Sequence, residues 1–315
     1  MQPTESVNRR AFLQYTLAGA GSLAASSVHP TAAASAAPAL GALELAPRVW
    51  LVRGGGGNVL VKQAPEGVLL VDGGSPERSG DVLRLVHDRT GGAPVTVLFN
   101  THWHWDQTGS NRTLGPKGTR IIAHENTRLW LGTEIDSKWE HRVYPPLPDK
   151  ARPNQTFYTQ GTLTFGGERI DYGYLPQAHT DGDIYVFLRD ANVLVAGDVA
   201  ARGAYPILDY STNGWIGGMV NATQTLLDIA GADTRIVPGS GEALTRSDLV
   251  EEHAMLATLK QRLSQLLAQG MSVEDMIAAA PTKEFDARWG DPRLFIANAW
   301  PGLVARSREL GVSIV

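Results

Sequence analysis

The alternation of apolar and polar positions divides the chain into two successive α/β stretches. In the first, short apolar runs at Val49–Arg53, Asn58–Gln63 and Gly67–Val71 have the length and composition of strands. A helix is predicted over Asp81–Arg89, where Val82, Leu85 and Val86 recur at helical spacing and Gly91-Gly92 closes the segment. Val95–Phe99 is apolar enough for a buried strand, and Ile121–Ala123 with Glu125–Leu131 supplies a further strand and helix. The segment Trp139–Pro153 carries Pro145, Pro146, Pro148 and Pro153 and is predicted to be a long loop.

The second stretch restarts with strands at Thr162–Phe165 and Arg169–Tyr174, joined across Gly166-Gly167, and continues through Ile184–Leu188 and Val193–Ala196. A helix around Met219–Ile229 precedes a strand at Thr234–Val237. Helices from Ser247 to Gln269 and from Val273 to Ala280 follow, with Thr245/Asp248 and Ser272/Asp275 at capping-box spacing. Strands alternating with helices in both stretches define an α/β class.

The densest chemistry follows the buried strand, at His102-Trp103-His104-Trp105-Asp106. In an extended segment positions i and i+2 point the same way, so His102 and His104 can converge on one ion while Trp103 and Trp105 face elsewhere. Zinc favours imidazole nitrogen and carboxylate oxygen. Four more segments stand in order around this one: Leu69-Leu70-Val71-Asp72-Gly73-Gly74, Ala178-His179-Thr180-Asp181-Gly182-Asp183, Val193-Leu194-Val195-Ala196-Gly197-Asp198 and Ile236-Val237-Pro238-Gly239-Ser240-Gly241. Together they resemble the metallo-β-lactamase-fold hydrolase superfamily, and within it the glyoxalase II-like members, from about Pro47 to the end of the chain.

That resemblance implies a four-layer αββα sandwich with a metal site at the sheet edge between the halves. His102, His104 and His179 match the first metal site of the family. Three imidazoles and a water make a zinc site with one open position, where the water's pKa falls to about 7. Asp198 matches the metal-bridging carboxylate, and Asp106 the one that binds a second metal or orients the nucleophilic water. Asp72 is expected to brace the His102 loop by accepting hydrogen bonds. The chain departs from the family where Gln107 and Ser240 replace the histidines of the second metal, so one tightly held zinc ion is expected and a second should bind weakly. Of the other histidines, His87 and His253 fall in helical stretches, His29 near the start of the chain, and His124 and His141 have no assigned role. Trp103, Trp105, Tyr205, Tyr210 and Trp215 are candidates to line a substrate pocket, with Gly203–Gly218 as a glycine-rich mobile loop.

Near the N-terminus, Asn8-Arg9-Arg10-Ala11-Phe12-Leu13-Gln14 and the weakly apolar stretch after it resemble a twin-arginine export signal. Ala34-Ser35-Ala36 offers a cleavage site, so residues 1–36 are expected to be a signal peptide and residues 37–315 one hydrolase domain. The stretch is too short and too rich in Gly, Ser and Gln for a membrane anchor, which needs roughly 20 apolar residues. A periplasmic or other extracytoplasmic location follows, with the twin-arginine machinery as a partner. A net charge of −4 offers no cationic field for nucleic acid. The absence of cysteine excludes disulfides and thiolate ligands.

The leading expectation is a zinc hydrolase acting on a small ester, thioester, lactone or lactam through metal-bound hydroxide. Two alternatives stand beside it. One is an iron oxidoreductase of the persulfide-dioxygenase type, using His102, His179 and Asp198 as a facial triad. The other is a degenerate, non-catalytic metal-binding protein of the cell envelope.

Overall fold

The computed structural model describes residues 39–201 and 203–307, so the signal expected over residues 1–36 lies outside the described residues. The first half comprises β1 (Gly41–Ala46), β2 (Val49–Gly55), β3 (Gly57–Ala64), β4 (Gly67–Val71), α1 (Ser79–Arg89) and β5 (Val95–Phe99). Two single-turn helices, α2 (Trp105–Thr108) and α3 (Asn111–Leu114), lead to β6 (Arg120–His124) and α4 (Glu125–Trp130). A hairpin of β7 (Ile135–Ser137) and β8 (Arg142–Tyr144) and then β9 (Gln155–Phe157) complete it. The second half holds β10 (Gln160–Phe165), β11 (Glu168–Tyr174), β12 (Ile184–Leu188), β13 (Val193–Gly197), α5 (Ile216–Ile229) and β14 (Arg235–Pro238). It ends in α6 (Arg246–Ala268), α7 (Val273–Ala278), α8 (Asp286–Trp289) and α9 (Arg293–Ala305).

Two mixed sheets form, one in the order β1-β2-β3-β4-β5-β6-β9 and one in the order β10-β11-β12-β13-β14. Their inner strands, such as β4 and β13, are apolar on both faces because both faces are covered. In β4, Leu69 and Val71 enter the core between the sheets, while Val68 and Leu70 pack with Val82 and Val86 of α1. In β13, Val193 and Val195 point into the same inter-sheet core, and Leu194 and Ala196 pack with helical residues such as Met219, Leu226 and Leu256. The layers therefore run helix, sheet, sheet, helix, the αββα sandwich. Each such Leu or Val is stabilised by roughly 1.5–3 kcal/mol on burial, so polar substitutions inside these runs are costly.

Both capping boxes form: the Thr245 and Ser272 side chains accept from the amides of Asp248 and Asp275, whose carboxylates answer the cap amides. Several features differ from the sequence reading, among them short strands β7 and β9 and helices α8 and α9, which it did not include. Strand β1 was not expected, since it is an exposed edge strand with little alternation. The Trp139–Pro153 segment contains β8 and a 3₁₀ turn at Asp149–Ala151. Helix α5 starts at Ile216, because Gly217 and Gly218 are helical and a Cβ at Gly218 would collide with the Gln177 carbonyl. The Gly203–Gly218 segment is built into the helix-side core through Tyr205, Leu208 and Ile216.

Parallel pairs β4·β5 and β13·β14 bring the carboxyl ends of strands from both sheets to one edge, the usual place for chemistry in such folds. There the sheets are tied to each other. Ile184 N donates to Thr101 O at 2.9 Å, and Asn58 N to Gly239 O at 2.8 Å. No helix among the described residues is long and apolar enough to cross a membrane.

Candidate metal centre

The loop after β5 is fixed by the loop after β4. Asp72 adopts a left-handed φ of 64°, a conformation Asp tolerates better than most residues. Its carboxylate accepts from Thr101 N and Thr101 Oγ1, each at 2.8 Å. Because the Thr101 hydroxyl spends its hydrogen on Asp72, its oxygen is left to accept from His102 Nδ1, 3.0 Å away. The proton therefore sits on Nδ1, and the lone pair on Nε2. That Nε2 is buried and has no hydrogen-bond partner.

The other two imidazoles obey the same logic. His104 turns Nε2 to Asp209 Oδ2 at 3.2 Å, and a carboxylate there requires the N–H on Nε2 and the lone pair on Nδ1. His179 donates from Nδ1 to the Ile207 carbonyl at 2.8 Å, leaving the lone pair on Nε2. Thr180 N and Oγ1, next in sequence, are held by the Asp183 carboxylate. The three rings stand edge to face, with centroids 4.7–4.8 Å apart. His179 Nε2 lies 3.0 Å from His104 Nδ1, and Asp198 Oδ2 lies 3.6 Å from His102 Nε2 and 3.5 Å from His179 Nε2. Three imidazole nitrogens and a carboxylate oxygen converging at such distances need a positive charge among them, supplied by a proton shared between His104 Nδ1 and His179 Nε2 in the ion-free state or by a metal ion in its place. Four ligand atoms, one each from His102, His104, His179 and Asp198, all fall within 4.8 Å of one another, a cluster able to hold a metal ion. Imidazole nitrogen and carboxylate oxygen suit zinc and iron alike.

Asp198 depends on its neighbour across β13·β14. Gly239 donates its N–H to Gly197 O at 2.8 Å, and a methyl group at Gly239 would overlap Asp198 Oδ1. Without an ion, burial and the neighbouring imidazolium charges push His102 well below the usual histidine range, and burial with the His104 charge also lowers His179. Burial acts in the same direction on His104, but the Asp209 hydrogen bond and charge outweigh it and lift the group to about 9. For Asp209 burial is likewise overcome, here by the His104 hydrogen bond and charge, so its carboxyl is lowered. Burial and the Asp198 charge raise Asp106 to about 6, and burial raises Asp72 well above the carboxylate range.

A cavity of about 360 Å³ opens on this cluster. Asp106 lines it and lies outside the group of four converging ligand atoms. Gln107 is buried and its Nε2 donates to Gly239 O at 3.1 Å, whereas Ser240 is exposed. Of the five aromatic residues expected around a pocket, Trp105 lines the cavity and the others do not. Trp103 is fully buried with Nε1 on Thr212 Oγ1 at 3.0 Å, and Tyr205 stacks on Phe295 in the helix-side core. Tyr210 belongs to a 3₁₀ turn, and Trp215 precedes α5 and packs against the same core. The walls come instead from Ser75, Pro76 and Glu77, from Trp139, Glu140, Arg142 and Tyr144 around β7 and β8, and from Ile207. His124 stacks on Tyr174 and donates from Nε2 to Tyr158 O at 3.2 Å, and His253 meets Thr223 Oγ1, so both have local roles. Asp209 and Thr101 were missed by sequence reasoning. Thr101 adjoins His102 and was in view; Asp209 carried no signal beyond being a lone acid beside Leu208.

An αββα sandwich with imidazoles and a carboxylate gathered at its sheet edge defines a metallo-hydrolase architecture. The chain belongs to the metallo-beta-lactamase superfamily, whose sequence model matches residues 47–242. It is 25% identical over 193 residues to a metallo-beta-lactamase type 2 of Bacillus cereus, covering 61% of this chain and 70% of that protein. It is 24% identical over 181 residues to the 2,4-dinitroanisole O-demethylase subunit alpha of Nocardioides sp. (strain JS1661), covering 54% of this chain and 49% of the other. Among solved structures, a metallo-beta-lactamase from Pontibacter korlensis superposes with a TM-score of 0.57 at 20% identity, over 70% of this chain and 99% of that one. A stereoselective inverting sec-alkylsulfatase from Pseudomonas sp. superposes with a TM-score of 0.68 at 16% identity, over 87% of this chain and 51% of that one. The chain thus spans about half the length of the demethylase subunit and of the sulfatase.

Proposed function

We propose that this protein is a metal-dependent hydrolase that cleaves a small ester, thioester, lactone or lactam with one zinc ion. The observation that carries the reading is the buried, unpartnered Nε2 of His102, facing two imidazole nitrogens whose opposite nitrogens are pinned by Asp209 and the Ile207 carbonyl. His102 Nε2, His104 Nδ1, His179 Nε2 and an Asp198 oxygen would hold the ion. When bound, a divalent ion supplies Lewis acidity toward a carbonyl oxygen and lowers the pKa of water at the site. Asp106, on the cavity wall, orients the attacking water and takes up its proton. Trp105, Trp139, Tyr144 and Ile207 provide the apolar walls that exclude bulk water from a small acyl group.

Zinc is preferred over iron because His104 joins His102, His179 and Asp198, leaving fewer open positions than oxygen chemistry at a facial triad needs. A single ion is supported by Gln107, whose neutral amide oxygen is a poorer zinc ligand than an imidazole, and by the exposure of Ser240. The glyoxalase II-like loop sequences favour ester and thioester substrates, and the named relatives keep lactams within range. Residues 1–36 are proposed as a twin-arginine signal directing the domain to the periplasm. Changing Arg9 and Arg10 to Lys should then strand uncleaved precursor in the cytoplasm.

Elemental analysis of protein purified without added metal, with a hydrolytic and an oxygen-uptake screen, tests the reading. Close to one zinc per chain with ester, thioester, lactone or lactam turnover is expected. Iron with oxygen uptake, stoichiometric metal without turnover, or two zinc ions surviving dialysis would overturn it. His102→Ala should abolish tight metal binding, and undiminished metal in that variant would remove its basis.

A further inference from the structure

We infer that Trp139 is a positioning residue that acts on His104 through Asp209, so that the β7–β8 hairpin is latched to the metal centre. The inference rests on the reading of His104 as a metal ligand and extends it. Strands β7 and β8 pair only with each other and belong to neither main sheet. The hairpin nevertheless supplies Trp139, Glu140, Arg142 and Tyr144 to the cavity wall. Its base is held by apolar packing of Ile135 and Tyr144 with Trp103, Leu131 and Leu147. Its tip is held by polar contacts to one short segment, residues 209–211.

Those contacts converge on one buried carboxylate. Asp209 is fully buried. Its Oδ1 accepts from Ser211 N at 3.1 Å and from Trp139 Nε1 at 3.1 Å, and its Oδ2 accepts from Thr212 Oγ1 at 2.5 Å and faces His104 Nε2 at 3.2 Å. Lys138 N donates to Ser211 Oγ at 2.9 Å, a second tie between the same two segments. Of the donors around the carboxylate, Ser211 and Thr212 lie in its own turn and His104 belongs to the metal cluster. Trp139 is the one that comes from the hairpin.

A carboxylate in a buried site keeps its orientation only while its donors are in place, because nothing else compensates a lost hydrogen bond there. Withdrawal of Trp139 leaves Oδ1 with the Ser211 amide alone, widens the range of carboxylate orientations and loosens the acceptor that sets the His104 tautomer and ring angle. The Trp139 ring lies 6.1 Å from the His104 ring, so the same side chain that a substrate would touch is one carboxylate away from a ligand. Linkage makes the effect reciprocal: if the latched hairpin favours metal binding, metal binding favours the latched hairpin by the same factor.

The test uses the full mature protein and zinc itself. Trp139→Phe keeps the aromatic wall and removes the N–H. Chelator competition should show zinc affinity reduced about three- to tenfold, below the 10–100-fold typical of deleting a ligand's direct partner. In the wild type, zinc loading should slow amide exchange across residues 135–144 relative to the β10–β11 hairpin, and in Trp139→Phe this protection should be lost. Wild-type exchange that ignores zinc would overturn the latch without any variant. Unchanged affinity in Trp139→Phe beside lost binding in His102→Ala would also overturn it while leaving the metal centre standing. Undiminished zinc in His102→Ala would instead remove the metal centre on which both rest.

Discussion

Glu252 offers a test of how the Asp198 loop is supported. This residue of α6 is fully buried in the helix-side core, and both its oxygens lie 3.1 Å from Ala201 N, three residues after Asp198. Burial raises its pKa from 4.5 to about 8, and the single Ala201 amide offsets this only in part. The folded state therefore keeps a proton that the unfolded chain releases between those values. Stability is highest below pH 4.5 and is lost as pH rises to about 8. At 1.36 kcal/mol per unit the loss is about 3 kcal/mol at pH 7 and levels off at about 4–5 kcal/mol above pH 8, an upper bound if the loop relaxes. Glu252→Gln imitates the protonated acid without the ability to ionise. Urea unfolding of both proteins across pH 5.5–9 should show the variant more stable by about 1 kcal/mol at the acid end and by about 4 kcal/mol at the alkaline end. A stability difference that does not change with pH, or a variant less stable than wild type at pH 9, would refute the claim that Glu252 is held protonated.

Thr101→Val leaves His102 Nδ1 and Asp72 Oδ2 without partners, and zinc affinity by chelator competition is expected to fall about 10–100-fold, with folding destabilised by about 1–3 kcal/mol. Gly239→Ala should push Asp198 out of the cluster and reduce zinc affinity at least about tenfold, at an overpacking cost of about 1–3 kcal/mol in urea unfolding. Asp106→Ala should lower kcat by about 10²–10⁴ with near-normal zinc content, as expected of a proton acceptor outside the ligand cluster. Equal loss of metal and turnover in Asp106→Ala would return that residue to the ligand set.

Much of the sandwich was legible because its strands are buried on both faces and its helices on one. β4, β5 and β12 have the bounds read from apolar runs, since a polar residue on either face would be stranded between layers. The pattern failed where tertiary contacts override it. In β1 an edge position leaves Leu43 exposed, so no alternation marks the strand. In α9 Pro301 interrupts the helical signal, although the helix continues through it. At the start of α5 two glycines, read as a loop, allow close approach to the Gln177 backbone.

The ligand histidines and Asp198 were legible because they sit in ordered segments at strand ends, where the fold leaves little freedom. The cavity wall was not. Period-two alternation holds from His102 to His104, but His104 caps α2, and the helical turn then carries Trp105 and Asp106 to the cavity while Trp103 stays beneath. Gln107 illustrates a different limit. As a residue type it registers as a missing ligand, yet its Nε2 bridges to Gly239 O, and a side chain at Gly57 would overlap its amide. Gln107 is here a crosslink between α2 and the turn that holds Asp198. That crosslink ties α2 to the turn beside Asp198 and so stiffens the cluster of His102, His104, His179 and Asp198, a role that residue identity alone does not reveal.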